Sequence, residues 1–258
     1  MKPRVLVVVP QTGRDAPVGE PVMLEARQRH YLSRVLRLEA GAQIEAFNGT
    51  GQRWAARLAG TRETLHLVLD APLAATPESP LAIHLGQCLS SADKMDWTIE
   101  KAVELGANRI SPLFSQRSQV RLDEARARRK LEHWQAIAES ACMQSGRDVI
   151  ASISAAGPLE AWLTACTEPV RLVLDPRAGL ALSAWARQSA TPFSGPMALL
   201  VGPESGLAES ELERSRRAGF IAVTLGPRVL RTSAASEEVL AVGVGFFAYE
   251  LIVTLQYM

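Results

Sequence analysis

The chain has 258 residues, 47% hydrophobic and 21% charged, a balance able to bury a core and incompatible with a wholly disordered polypeptide. Its formal net charge of +1 gives no overall basic field that would draw it to nucleic acid. Only 4 of the 28 basic residues are Lys, and this preference for Arg fits either phosphate pairing by planar guanidinium forks or a bias in genome base composition.

Residues 4–9 read as a first strand, followed at 25–38 by a short amphipathic helix with apolar residues at 31, 32, 35, 36 and 38. Strands at 42–47, 54–59 and 65–69 follow at hairpin spacing, with a turn signal at Asn48-Gly49. Together they predict a small β-barrel with one helix over residues 1–72. Residues 73–80 close a stretch with three prolines and predict a linker. From 81 to 258 the pattern alternates. Strands are expected at 81–87, 109–114, 149–153, 170–174, 197–201 and 221–225. Helices are expected from Ser90 to about 106, and over 123–146, 159–165, 180–189 and 207–218, with a last one from about 234. Alternation with strands apolar along their whole length predicts an α/β domain built on a parallel sheet.

Cys88, Cys142 and Cys166 form no CxxC pair, so neither a disulfide framework nor a metal site is expected. The apolar run before Pro10 has five residues and that at 239–249 has 11, both short of the roughly 20 needed to cross a bilayer. A cytoplasmic protein with no membrane association is expected.

Three strand ends carry unusual loops: LDPRAG at 174–179, VGPESG at 201–206 and LGPRVLRT at 225–232. Ligands of open α/β sheets bind outside the carboxyl ends of the strands. Glycines there permit close backbone approach, although Gly and Pro are also ordinary turn residues. None of the loops matches GxGxxG or GxxxxGK[ST]. Basic residues gather in two places. Arg27, Arg29, Arg34 and Arg37 with His30 crowd the first helix; Arg117, Arg121, Arg126, Arg128, Arg129 and Lys130 lie along a loop and helix start. Such runs are either solvated faces or an RNA footprint. No HxxxH, HExxH or GxSxG spacing is present, and His66 and His84 within strands read as satisfied structural histidines.

These residues resemble a known family. RHYLSRVLRL at 29–38, KMDWTIEKAVELG at 94–106, RKLEHW at 129–134, QSGR at 144–147, GPESG at 202–206 and LGPRVLRT at 225–232 are similar, in that order, to the signatures of the RsmE ribosomal small-subunit RNA methyltransferases. The resemblance implies a PUA-like barrel joined to a SPOUT-type domain with a trefoil knot, and a homodimer with its active site near the subunit contact. It further implies S-adenosylmethionine as cofactor and methylation of N3 of a uridine in 16S rRNA, either free or within the small ribosomal subunit. Cofactor binding is expected from Leu174, Gly202, Pro203, Glu204, Gly206, Leu225, Gly226 and Leu230. RNA binding is expected from Arg29, His30, Arg34, Arg37, Arg117 and Arg121. This chain departs from the pattern at Ser205, where a second Gly is usual, and at Ser233, where the family has a carboxylate.

The reaction requires an unpaired or extruded uridine, because N3 lies on its Watson–Crick edge. As the N3 proton leaves, charge spreads onto the flanking carbonyls, where a fixed guanidinium would stabilise it. Arg231 is the candidate for that role. Glu204 is a candidate proton acceptor or cofactor contact, or else a cap of the following helix. Two rival readings stand beside this one: a non-catalytic RNA-binding assembly factor, and a nucleotide-dependent enzyme whose 202–206 loop cradles phosphate at a helix N-terminus.

Overall fold

A computed structural model describes residues 2–7, 18–61, 63–118, 122–188 and 195–225. The chain divides into two units, Met1–Glu78 with Cys142–Ile150, and Ser79–Ala141 with Ala151–Met258.

The first unit holds β1 (Arg4–Leu6), β2 (Pro21–Met23), α1 (Ala26–His30) running into a π-helical turn Tyr31–Val35, β3 (Gln43–Phe47), β4 (Arg53–Ala59) and β5 (His66–Leu73). The strands form one sheet in the order β1-β3-β4-β5-β2, with β1 and β3 parallel and the other pairs antiparallel. Alternating residues Ile44, Trp54, Ala56, Leu58, Leu67 and Leu69 turn to one face and bury together with Val5 and Leu32. The helical segment departs from its expected amphipathic register. A turn closed from Leu36 N–H to Tyr31 O is wider than an α-turn, so Leu32 is buried while Val35 is 58% exposed.

Residues 73–80 are not a free linker. Arg53 Nε donates to Ala74 O (2.6 Å), the Thr76 N–H donates to Asp148 Oδ2 (2.6 Å), and Arg147 pairs with Glu78 (2.6 Å). Pro72, Pro77 and Pro80 lack N–H groups, but the remaining backbone groups between them are still available to side chains. Buried Arg4 pairs with Asp148 and donates to the carbonyls of Cys142 (3.0 Å) and Arg147 (3.2 Å). Arg147 and Asp148 therefore tie residues 142–150 to the first unit, although the alternating pattern assigns them to the second.

The second unit contains β6 (Ile83–Cys88), α2 (Ala92–Glu104), β7 (Ala107–Phe114), α3 (Glu124–Ser145, whose last turn belongs to the first unit), β8 (Ser152–Ile153), β9 (Gly157–Pro158), α4 (Leu159–Ala165), β10 (Val170–Leu174), α5 (Leu182–Gln188), β11 (Met197–Val201), α6 (Glu209–Arg217) and β12 (Ile221–Val223). Its sheet runs β12-β10-β11-β6-β7-β8, with β9 also on β7, and every pair is parallel. All residues of β6 and β11 are buried, as strands covered on both faces require. Gly86 in β6 lies against Trp162 of α4; a Cβ there would stand 2.6 Å from the indole ring. The expected knot and the helix from about 234 draw on residues 226–258, outside the described ones.

Candidate functional site

From β6 the chain moves to β7 on one side, while β11 pairs with β6 on the other and the chain after it continues to β12, beyond β10. A parallel sheet opens a crevice at the carboxyl ends of its strands where the order reverses in this way. A cleft of about 410 Å³ lies one strand on from that reversal, at the ends of β10 and β11, walled by Leu174, Asp175, Gly202, Glu204, Leu207 and Arg117 among others.

Of the expected cofactor residues, Leu174, Gly202, Pro203, Glu204 and Gly206 all line this cleft. Leu225 is half-buried just beyond β12, which pairs with β10. Gly226, Leu230 and Arg231 lie outside the described residues. Gly202 is small because the loop folds back on it: a Cβ would stand 3.1 Å from both the backbone N and Cγ of Leu207. Gly206 has φ +71°, the left-handed conformation that closes the loop.

The loop 202–206 is gripped from two sides. Glu204 Oε1 accepts from Lys94 Nζ (3.0 Å) and from the Ser91 N–H (3.2 Å), both at the start of α2. On the other side Arg117 donates to Ser205 O (3.1 Å), and the Ser205 hydroxyl donates to Arg117 O (3.1 Å). The neighbouring Gln116 N–H donates to Glu211 Oε1 (2.7 Å), whose other oxygen accepts the Ala208 N–H (2.8 Å). Glu211, not Glu204, therefore serves the start of α6, and the capping role considered for Glu204 does not hold. Burial alone would raise the Glu204 carboxyl, but its own backbone N–H, Lys94 and the Ser91 N–H outweigh this and hold it below the ordinary value. These contacts make Glu204 an anchor between the loop and the start of α2.

Asp175 is the cleft's buried charge, 5% exposed; it accepts the Arg177 N–H (3.0 Å) and faces Arg216 (3.7 Å). The sequence displays it in LDPRAG, but nothing in the spacing marks it as buried. Lys94 and Glu211 escape the sequence reading for a similar reason, since their partners lie 110 and 95 residues away.

The RNA candidates separate. Arg117 lines the cleft at the ends of β10 and β11, and Arg121 lies outside the described residues. Arg29 is half-buried and donates to Leu24 O, which fixes the chain entering α1; His30 is exposed. Arg34 and Arg37 line a cleft of about 660 Å³ in the first unit, with Ser33, Glu39, Thr61 and Leu65.

His84, Cys166 and Glu168 in the second unit bring possible ligand atoms within 4.8 Å of one another. They are engaged in a hydrogen-bond network. Trp162 Nε1–H donates to His84 Nε2 (3.0 Å), which also meets Ser111 Oγ (2.9 Å), so Nδ1–H donates to Glu168 (2.7 Å). Burial lowers the His84 pKa, and burial pushes the Cys166 thiol up to about 12.

An RNA methyltransferase domain family matches residues 77–243, and an RNA methyltransferase PUA domain family matches 24–70. A ribosomal RNA small subunit methyltransferase E from Buchnera aphidicola is 30% identical over 224 residues, 86% of this chain and 87% of its own length. The chain belongs to the ribosomal RNA small subunit methyltransferase E family. The enzyme of that name from Neisseria gonorrhoeae, solved bound to S-adenosyl methionine, superposes with a TM-score of 0.82 at 32% identity, over 94% of this chain and 96% of that one. A Legionella pneumophila methyltransferase solved with the same cofactor gives 0.84 at 29%, with the same coverage. Family and fold together bear out the expected architecture, a PUA-like domain preceding a SPOUT-class α/β methyltransferase domain. Within this family the Ser205 hydroxyl gives the present member a bond to Arg117 O that a glycine could not make.

Proposed function

We propose that the protein transfers the methyl group of S-adenosylmethionine to N3 of a uridine in 16S rRNA. The observation that carries this reading is the cleft at the ends of β10 and β11, with its braced loop and buried carboxylate. Leu174, Val201, Leu207 and Leu212 offer apolar walls to an adenine ring, and Asp175 offers a carboxylate to ribose hydroxyls or a sulfonium. These residues fit the cofactor, which supplies an electrophilic methyl on positively charged sulfur. The anchors Lys94–Glu204, Ser205–Arg117 and Glu211 keep the loop in one geometry, and holding two reactants in line removes entropy from the barrier.

Arg231 is the proposed electrostatic residue, its guanidinium stabilising charge on the uridine carbonyls. It stays protonated at working pH and so cannot act as the base. Arg34 and Arg37 hold RNA through phosphate. The substrate is 16S rRNA, free or within the small subunit, and the protein works in the cytoplasm as a homodimer. The phosphate-cradle alternative is disfavoured because the start of α6 is supplied with its own carboxylates, Glu209 and Glu211. Mass spectrometry of nucleosides from 16S rRNA tests the reading. Deletion of the gene should remove 3-methyluridine and re-expression should restore it; an unchanged level sinks the proposal.

A further inference from the structure

The first unit spends unfavourable backbone geometry at one place. Arg37 has φ +53°, the only non-glycine with positive φ among the described residues. It sits where the helix ends, between Leu36, whose N–H reaches Tyr31 O (2.9 Å), and Leu38, whose N–H reaches Leu32 O (2.9 Å). This wide, left-handed helix terminus is a position glycine normally fills, because a Cβ is disfavoured there. Strained backbone and π-turns concentrate at functional sites. What the strain achieves here is visible: the Arg37 side chain joins that of Arg34 in the wall of a 660 Å³ cleft. Neither guanidinium has a hydrogen-bond or ion-pair partner among the described residues, and neither does the Glu39 carboxylate in the same wall. Leu38 and Leu65 supply apolar surface, and Thr61 a hydroxyl.

We propose that this cleft is a subsite for one unstacked guanosine of the RNA, with Arg34 and Arg37 on its phosphates and Glu39 on its base. The proposal rests on the reading that this unit binds RNA. Two uncommitted guanidiniums call for phosphate, which they pair bidentately. A carboxylate beside them would repel that phosphate unless it met a hydrogen-bond donor of its own. Among the bases, guanine alone presents two adjacent donors, N1–H and N2–H, on its Watson–Crick edge, matching both oxygens of a carboxylate. Adenine and cytosine offer one amino group there, and uracil a single imino N–H. Single-stranded bases are read on that edge, so the carboxylate selects guanine. The cleft volume lies within the range of small-molecule sites.

The test uses the full-length protein and labelled single-stranded oligouridines carrying one central G, A, C or U, with binding read by fluorescence anisotropy over a salt series. The wild type should bind the G probe about ten-fold more tightly than the others. Glu39→Ala should abolish that preference. Arg37→Gly is the second arm, because glycine suits the left-handed position. Melting temperature should hold or rise, while affinity for all four probes falls and the salt slope shrinks by about one. Equal binding of the four probes by the wild type, a surviving G preference in Glu39→Ala, or Arg37→Gly with unchanged affinity would each overturn the subsite. So would an Arg37→Gly protein that melts lower, which would make the residue's role structural. Methyl transfer to 16S rRNA, both free and within the small ribosomal subunit, is measured on the same wild-type sample. Transfer without a G preference removes only this subsite, whereas absence of transfer removes the methylation reading.

Discussion

Glu211→Ala offers the most direct test of how the 202–206 loop, the proposed cofactor loop, is held. The side chain is buried, 2% exposed, and its two oxygens accept the N–H groups of Ala208 (2.8 Å) and Gln116 (2.7 Å). A hydrogen bond to a charged group contributes about 1.5–3 kcal/mol, so loss of both predicts about 3–6 kcal/mol of destabilisation. Water reaching the more open Gln116 side should keep the result near the lower figure. Urea unfolding followed by tryptophan fluorescence measures it. Calorimetry with S-adenosylmethionine measures the second consequence: with the Gln116 tether lost, Arg117 braces Ser205 less firmly, and affinity should fall by up to about ten-fold, the equivalent of one such contact. Glu211→Gln keeps one acceptor oxygen but turns an amino group toward the other N–H, so it should recover less than half of the stability. A Glu211→Ala protein destabilised by less than about 1 kcal/mol, with unaltered cofactor affinity, would refute the claim that this carboxylate organises the site.

Glu204→Gln and Lys94→Met should each weaken cofactor binding a few-fold, and the double variant no further, because both act on one ion pair. Loss of more than about a hundred-fold in single-turnover rate for Glu204→Gln alone would restore the base assignment. Gly86→Ala drives a methyl to 2.6 Å from the Trp162 ring and should cost about 1–3 kcal/mol; an unchanged melting temperature would mean the helix can slide away. His84 has a folded pKa below its ordinary 6.5, so the unfolded chain takes up the proton first. Its stabilising contribution is complete above that value and declines as pH falls below it. Urea midpoints should therefore drop on acidification below 6.5, and His84→Asn, with no such proton to bind, should flatten the trend; identical profiles would exclude His84 as the source.

Local pattern by itself determined the parallel-sheet unit. Apolar runs such as MALLV at 197–201 and LVL at 172–174 have no polar face to expose, so they became strands within a covered sheet whose carboxyl ends carry Gly- and Pro-containing loops. The sequence likewise made Leu174, Gly202 and Glu204 legible as one site, since each follows or ends a strand. Tertiary structure alone decided what those residues do. Glu204 became an anchor through Lys94, 110 positions earlier, and residues 142–150 joined the first unit because buried Arg4 requires the Asp148 charge. Val35 faced solvent because one wide turn broke the 3.6-residue period on which its placement rested. Sequence periodicity reports local backbone geometry, whereas ion pairs between distant segments form only once the fold has brought those segments together.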